Sequence, residues 1–448
     1  MRMTPARRAA SALAAICASL LLLSLFLIPL RYLGVVMGVV PVARATADAE
    51  ALAPALPAGG GTVRAEYCSE AVTASGLSNL SGRTSTSLAF HDAWLFQAAG
   101  SYHHDLATAC SVLAAVCNSE SQYYSDVEGS VPYAERALWA LGFDNVRTES
   151  YALRSSLLDE LGAFFIGSHD VAAYTFASKT VPDPIDGEPC TLVFVGVRGS
   201  YGVEWLSNFN LHGDGNGSND HHGFETAESE VESALDQYAR EVGADPQRTR
   251  ILITGHSRGG AIANLLAARL DDRSGTPAEI APASGVYAYT FAAPGSTREA
   301  DCQNAAYGNV FNIVNEADIV PQLPLSTWGY GRYGTTVSLP IVASGEFEES
   351  FDRMCQAFQR NTGVTPACDE SSLASLDAFE RNAAKALPSA DALASPAGIA
   401  AAAQTLLGTD LAAALASHAP DAYIAWMQAV DGDALSFEGP AARTTNAG

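Results

Sequence analysis

Residues 251–260 read ILITGHSRGG. The apolar, β-branched run at 251–254 predicts a short buried strand, and 261–270 (AIANLLAARL) predicts a helix starting directly after the glycines. Between them Gly255-His256-Ser257-Arg258-Gly259 is a G-x-S-x-G turn. In a strand–turn–helix setting such a turn exposes the serine hydroxyl on strained backbone, and the glycines let strand and helix approach closely. The helix N-terminus behind the serine favours negative charge there. With 38 glycines in the chain the five-residue pattern alone is weak. The strand before it and the helix after it make it a nucleophile elbow.

Working outward, the chain alternates. Residues 86–155 have a helical pattern in which Leu106, Cys110, Leu113 and Cys117 recur at three- and four-residue spacing. Residues 171–177, 191–197, 286–291 and 310–314 read as strands. Residues 225–242 read as a helix with Val231, Leu235, Tyr238 and Val242 on one face. This order predicts an α/β fold, a mainly parallel sheet with helices on both faces. The main domain is expected at 86–430, with an Ala-rich helical insertion at about 345–417 that caps or wraps it. The insertion's face of Phe347, Phe351, Met354 and Phe358 is expected to be core rather than acyl-binding surface. Residues 48–85, rich in Ala, Gly, Ser and Thr, read as a spacer, and 431–448 as a loose polar tail.

The first 47 residues differ from the rest. Arg2, Arg7 and Arg8 precede a charge-free run at 9–30, and Ala45-Thr46-Ala47 has the small-x-small form of a cleavage site. As a helix the run would reach ~33 Å, so the segment reads either as a cleaved signal peptide or as an uncleaved tether through residues 9–30. Both readings place the body outside the cytoplasm. The cysteines are read the same way. One of the eight, Cys17, lies in the leader, which leaves an odd seven. Cys110 and Cys117, seven residues apart on one helix, are ~10.5 Å apart and cannot pair. Cys355 and Cys368, which flank a helix end and a loop, are one candidate pair; the connectivity is otherwise not legible. With 48% hydrophobic and 17% charged residues the chain is globular rather than disordered. Its 25 Lys+Arg against 49 Asp+Glu give a net charge of −24, which excludes a nucleic-acid partner and disfavours anionic membrane surfaces.

A serine nucleophile needs a base, and the base an orienting acid. Where an elbow carries the nucleophile, acid and histidine follow it in the chain. Of nine histidines only His418 lies after Ser257. Asp271, Asp301, Glu316, Asp318 and Asp352 stand between the two. Asp318 is preferred because it follows the 310–314 strand and is flanked by Ile319, Val320 and Pro321, which would bury it; Glu316 is second.

At these residues the chain resembles the class 3 lipase family of α/β-hydrolases over roughly 170–425. FVGVRGS (194–200) looks like the family's strand ending in Arg-Gly-Thr/Ser. His222-Gly223-Phe224 looks like its His-x-Gly-Phe helix lead-in without the spacer residue, and GHSRGG looks like its elbow. NIVNEADIVPQLP looks like its Asn-x-x-Asp-x-Val-Pro segment, and SHAPDAYI, with His418 and Tyr423, its terminal histidine region. The resemblance implies Ser257 as nucleophile, His418 as base and Asp318 as acid. It implies Ser200 as an oxyanion donor, with the Arg258 backbone N–H as the second.

Two departures from the family pattern stand out. The lid region, GVEWLSNFNLHGDGNGSNDHHGF, opens with Trp205, Leu206 and Phe209 but turns Gly/Asn/Asp-rich, so strong interfacial activation is not expected. About 100 residues separate Asp318 from His418. Asp214, Asn216, Ser218, Asp220 and Glu225 fall near calcium-loop offsets, but Asn219 replaces the needed glycine and no helix precedes the loop. No metal or cofactor is therefore expected. The expectation is an exported serine ester hydrolase acting on lipid or small esters. Phospholipase A1, lysophospholipase or acyltransferase activity with the same machinery is the alternative, and a non-catalytic surface protein on a hydrolase scaffold is the alternative from another class. Oligomeric state is not legible.

Overall fold

In the computed structural model the described residues are 59–71, 82–119, 133–149, 172–199, 219–345, 347–368, 379–389 and 411–440, with 373, 398 and 401 singly. The leader (1–47), the tail from 441, Ser200 and the lid region up to 218 lie outside them. An eight-stranded sheet carries the fold. Its order is β10 (Ser436–Glu438), β9 (Thr335–Ser338), β8 (Val310–Val314), β7 (Val286–Phe291), β6 (Thr249–His256), β5 (Pro189–Val197), β4 (Tyr174–Pro182) and β3 (Asp144–Glu149). β5 to β9 are parallel neighbours, while β3, β4 and β10 pair antiparallel at the two edges. With helices on both faces this is the expected α/β-hydrolase arrangement.

Each central strand splits its side chains between the faces. Val193, Val195, Ile251, Ile253, Val286, Ala288 and Val310 pack under α3 (His222–Glu241) and α4 (Arg258–Arg273). Leu192, Phe194, Leu252, Tyr289, Phe291, Phe311 and Ile313 face α1 (His104–Asn118). Nearly every side chain of α1 from Leu106 onward is buried, as befits a helix enclosed on all sides. Outside it lie the antiparallel pair β1 (Gly61–Ser69) and β2 (Gly82–Phe90), α2 (Tyr133–Ala140), and α8 (Pro420–Ala429). α5 (Phe347–Thr362) packs on α8, and its Phe347, Met354 and Phe358 are buried, with Phe347 and Phe351 stacked beside Trp426. The insertion's apolar face is thus core; α6 (Phe379–Ala386) and α7 (Leu411–His418) complete its described helices.

Several expectations are corrected. Gly61–Ser69, inside the 48–85 spacer, is a nine-residue strand. Its charged Arg64 and Glu66 alternate with buried Ala65 and Tyr67, and only the inward half is apolar. The helical stretch 86–155 also contains the end of β2 and all of β3. The strand placed at 171–177 runs Tyr174–Pro182, because the polar Ser178, Lys179 and Thr180 still pair with β5. Residues 431–440, placed in the loose tail, hold β10 on the sheet edge. No disulfide joins any of the seven described cysteines, Cys355 and Cys368 included. The described cysteines therefore lend the oxidising-compartment reading no support. Among the described residues no helix is long and apolar enough to cross a membrane.

Candidate active site

The parallel strands end level with one another. Val197 is paired with Gly255, His256 with Phe291, and Phe291 with Ile313. Whatever follows each strand therefore gathers at one edge of the sheet, outside the carboxyl ends, where α/β folds place ligands. Gly199, Ser257 and Asp318 all arrive there.

Ser257 sits between β6 and α4 with φ 57° and ψ −128°, a left-handed conformation costly for a residue with a side chain. Its amide donates to the Phe291 carbonyl (2.9 Å) and its carbonyl accepts from Ala261 (3.1 Å), so both neighbours hold the turn. The two flanking glycines are sterically required. A Cβ on Gly255 would strike the Gly259 carbonyl, and one on Gly259 would strike the Val197 carbonyl. Arg258 is the first residue of α4, whose first-turn amides point out of the helix end beside Ser257.

The structure brings the predicted nucleophile, base and acid together. His418 Nε2 lies 3.0 Å from Ser257 Oγ, and His418 Nδ1 lies 2.8 Å from Asp318 Oδ2. Asp318 is fully buried, yet its charge is well supported. The Val320 amide donates to Oδ1 (2.9 Å), and the Tyr423 hydroxyl donates to Oδ2 (2.9 Å) while accepting from the Asn315 amide (3.1 Å). It is Asp318 and not Glu316, the second choice for the acid, whose carboxylate meets His418 Nδ1. The Glu316 carbonyl accepts from the Gln322 amide group. Ser200 lies outside the described residues, but the preceding Gly199 is held by its amide to Asn118 Oδ1 (2.9 Å). Asp220, from the calcium-loop reading, is turned to Arg269 (2.8 Å) and the Tyr333 hydroxyl (3.3 Å).

Sequence reasoning missed the supporting groups. His256 is only the variable residue of G-x-S-x-G, yet it is buried and its Nε2 lies 2.9 Å from the His418 carbonyl oxygen. Burial first, and then the neighbouring His418, push its pKa well below the histidine norm, so the ring is neutral. Asp421, also fully buried, accepts from the Tyr67 hydroxyl (3.0 Å) and the Glu70 amide (2.8 Å), which ties β1 to the start of α8. The Glu70 carboxyl is pushed up to about 7 by burial and by Asp421, with His418 and Arg198 pulling the other way. Of the two neighbouring histidines at the start of α3, His221 is buried and stacked on Phe224, whereas His222, the one singled out in the sequence, is exposed.

Residues 195–328 match the family model described as lipase (class 3). Among solved structures, the chain is similar to a triacylglycerol lipase described as having a serine protease triad at its catalytic centre. That match has 19% identity, covers 52% of this chain and 78% of that one, and has a TM-score of 0.34. It is also similar to the lipase of Rhizopus microsporus var. chinensis (17% identity, 56% and 76% covered, TM-score 0.33). Lipase II of Rhizopus niveus is a third (16% identity, 51% and 78% covered, TM-score 0.34). The matched segment contains β6, the elbow and the β8–Asp318 segment, and over these residues the chain is similar to class 3 lipases.

Proposed function

We propose that this protein is an exported serine ester hydrolase that cleaves acylglycerols or related lipid esters through an acyl-enzyme, with Ser257 as nucleophile, His418 as base and Asp318 as acid. One observation carries the reading. The continuous hydrogen-bonded relay from Asp318 through His418 to Ser257 ends on a serine held at φ 57° at the mouth of a helix N-terminus. Ser257 Oγ attacks the ester carbonyl carbon and passes its proton to His418 Nε2. The buried Asp318 carboxylate stabilises the imidazolium and keeps Nδ1 protonated. The negative oxygen of the tetrahedral intermediate is stabilised by the Arg258 amide and by Ser200, each such donor contributing ~3 kcal/mol. Collapse sends the proton from His418 to the leaving alcohol. Water then attacks the acyl-enzyme with His418 again as base, releasing the acid and restoring Ser257.

Export is supported by the arginine-led, uncharged leader and draws nothing from the cysteines. The test is turnover of p-nitrophenyl esters from acetate to palmitate, below and above micelle formation, with Ser257→Ala as control and a fluorophosphonate to label Ser257. Hydrolysis and labelling by wild type alone are expected. A rate jump with long chains at the interface would identify a lipase, and smooth turnover of short soluble esters a carboxylesterase. An inert, unlabelled wild type would leave a non-catalytic scaffold.

A further inference from the structure

The groups around Ser257 come from separate stretches of chain, and one side chain outside the family segment touches two of them directly and a third through one ring. Asn118, the last residue of α1, is buried. Its Oδ1 accepts the Gly199 amide (2.9 Å), and its Nδ2 lies 3.4 Å from His256 Nδ1. His256 Nε2 lies 2.9 Å from the His418 carbonyl oxygen. Hydrogen-bond chemistry fixes every direction in this chain. A backbone amide only donates, so Asn118 turns its oxygen to Gly199 and its NH2 to His256. A carbonyl only accepts, so His256 carries its proton on Nε2 and leaves Nδ1 as acceptor for the asparagine. A neutral imidazole satisfies both contacts at once, and an imidazolium would not.

We propose that Asn118 is a positioning residue for the ester hydrolysis. It fixes the spacing between the Gly199 end of the oxyanion segment, the strand that carries Ser257, and the backbone of the base His418. The inference rests on the ester-hydrolase reading. Its physical basis is that an oxyanion donor and a proton acceptor on different segments act together only if their separation is held; a misplacement of about 1 Å can cost a hundredfold in rate. The family segment at 195–328 contains neither Asn118 nor His418; it supplies His256, the ring that joins them, so Asn118 on α1 and His418 at the end of α7 meet the segment from outside. No other residue type of this size presents an acceptor and a donor side by side without charge.

The test compares Asn118→Leu, which removes both contacts at similar volume, with Asn118→Asp, which keeps the acceptor for Gly199 and loses the donor to His256. For each variant a cooperative thermal melt establishes folding. Then kcat and KM on p-nitrophenyl butyrate, the rate of fluorophosphonate labelling at Ser257, and hydrogen exchange of the Gly199 amide are measured. For the leucine variant kcat should fall about tenfold or more with KM within about twofold, labelling should slow in parallel, and the Gly199 amide should exchange faster. The aspartate variant should keep Gly199 protected and lose less kcat; it stands in if the leucine variant fails to fold. A folded leucine variant with the kcat and labelling rate of wild type would overturn the proposal. A wild type that neither hydrolyses nor labels would overturn the ester-hydrolase reading itself, and the catalytic meaning of Asn118 with it.

Discussion

The two faces of the sheet are built differently. On one, two amphipathic helices, α3 and α4, lie over small β-branched strand residues, and the glycines of the elbow bring α4 close. The other face is a composite. α1 lies against a row of aromatic and long side chains, and β1, β2, α5 and α8, drawn from both ends of the chain, close over it. The candidate site straddles the two. Ser257 opens the helix of the first face, while His418, Tyr423, Asn118 and Asp421 belong to the second. The difference implies a division of labour. The first face fixes Ser257 by backbone geometry and is chiefly structural beyond it. The second aims the His418 side chain by hydrogen bonds.

The sharpest break of this comparison is at the shared residue. Ser257→Ala should lower kcat/KM by about 10⁴-fold or more. Ser257→Gly should be equally inactive yet more stable, by about 1 kcal/mol, because glycine adopts φ 57° without the strain a side chain brings. A glycine variant that melts below the alanine variant would mean that the elbow stores no strain, and that the first face does not hold Ser257 by backbone geometry.

The sequence made the first face legible because its signals are local. The strand bounds Val286–Phe291 and Val310–Val314 read from the sequence match β7 and β8, and Ser257 lies at the turn between β6 and α4 that the G-x-S-x-G pattern marks. The second face resisted because its signals are long-range. Gly61–Ser69 alternates apolar and charged residues, and its pairing with Gly82–Phe90 is not written in either segment. Asn118 looks like an ordinary helix end. Its role exists only because Gly199 and His256 meet it across the fold. Its one sequence signal is a polar residue directly after the apolar run Val112–Cys117. The Cys355–Cys368 pairing, suggested by a helix end and a loop between the two, is not formed, because local elements do not fix the distance between two thiols.

The next largest effect should fall on the first face and spare catalysis. Asn264, fully buried in α4, donates to Asn312 Oδ1 (2.9 Å) and the Tyr333 carbonyl (2.8 Å), and accepts from the Ser296 hydroxyl (2.8 Å) and the Tyr333 amide (3.1 Å). Asn264→Ala takes the acceptor from the Ser296 hydroxyl and the Tyr333 amide, while Asn312 Oδ1 keeps the Thr290 hydroxyl and the Tyr333 carbonyl keeps Asn312; it should cost about 3 kcal/mol in denaturant unfolding, with kcat per folded molecule within about twofold of wild type. A stable variant with lost activity would break the division.

A pH effect should also belong to this face. Burial, then Glu232, push the Glu228 carboxyl on α3 up to about 8 from a usual 4.5, while Arg269 pulls it down. A folded value above the unfolded one means the protonated carboxyl stabilises the fold below pH 4.5, and that contribution is lost as pH rises through 8. Melting temperature should therefore fall by a few degrees between pH 5 and 8, and Glu228→Gln should flatten that slope. Asp271, also pushed to about 8 by burial, leaves part of the slope behind. An unchanged slope in the glutamine variant would show that Glu228 is ionised in the fold.

The finest test sets one tyrosine on each face against the other. Tyr423→Phe removes the donor to Asp318 Oδ2 and the acceptor for the Asn315 amide. Asp318 keeps the Val320 amide and His418, so the relay survives with a weaker anchor. kcat should drop about tenfold, the worth of one charge-assisted hydrogen bond, with KM nearly constant. Tyr333→Phe removes a comparable hydroxyl-to-carboxylate contact, 3.3 Å to Asp220, on the first face. Its partner Asp220 keeps Arg269 at 2.8 Å, and Asp318 keeps the Val320 amide, His418 and the Tyr423 hydroxyl. The second substitution should therefore shift melting temperature alone. If both variants lose kcat equally, distance from the serine rather than the face of origin governs sensitivity. If only the Tyr423 variant does, the composite face sets the orientation of the base.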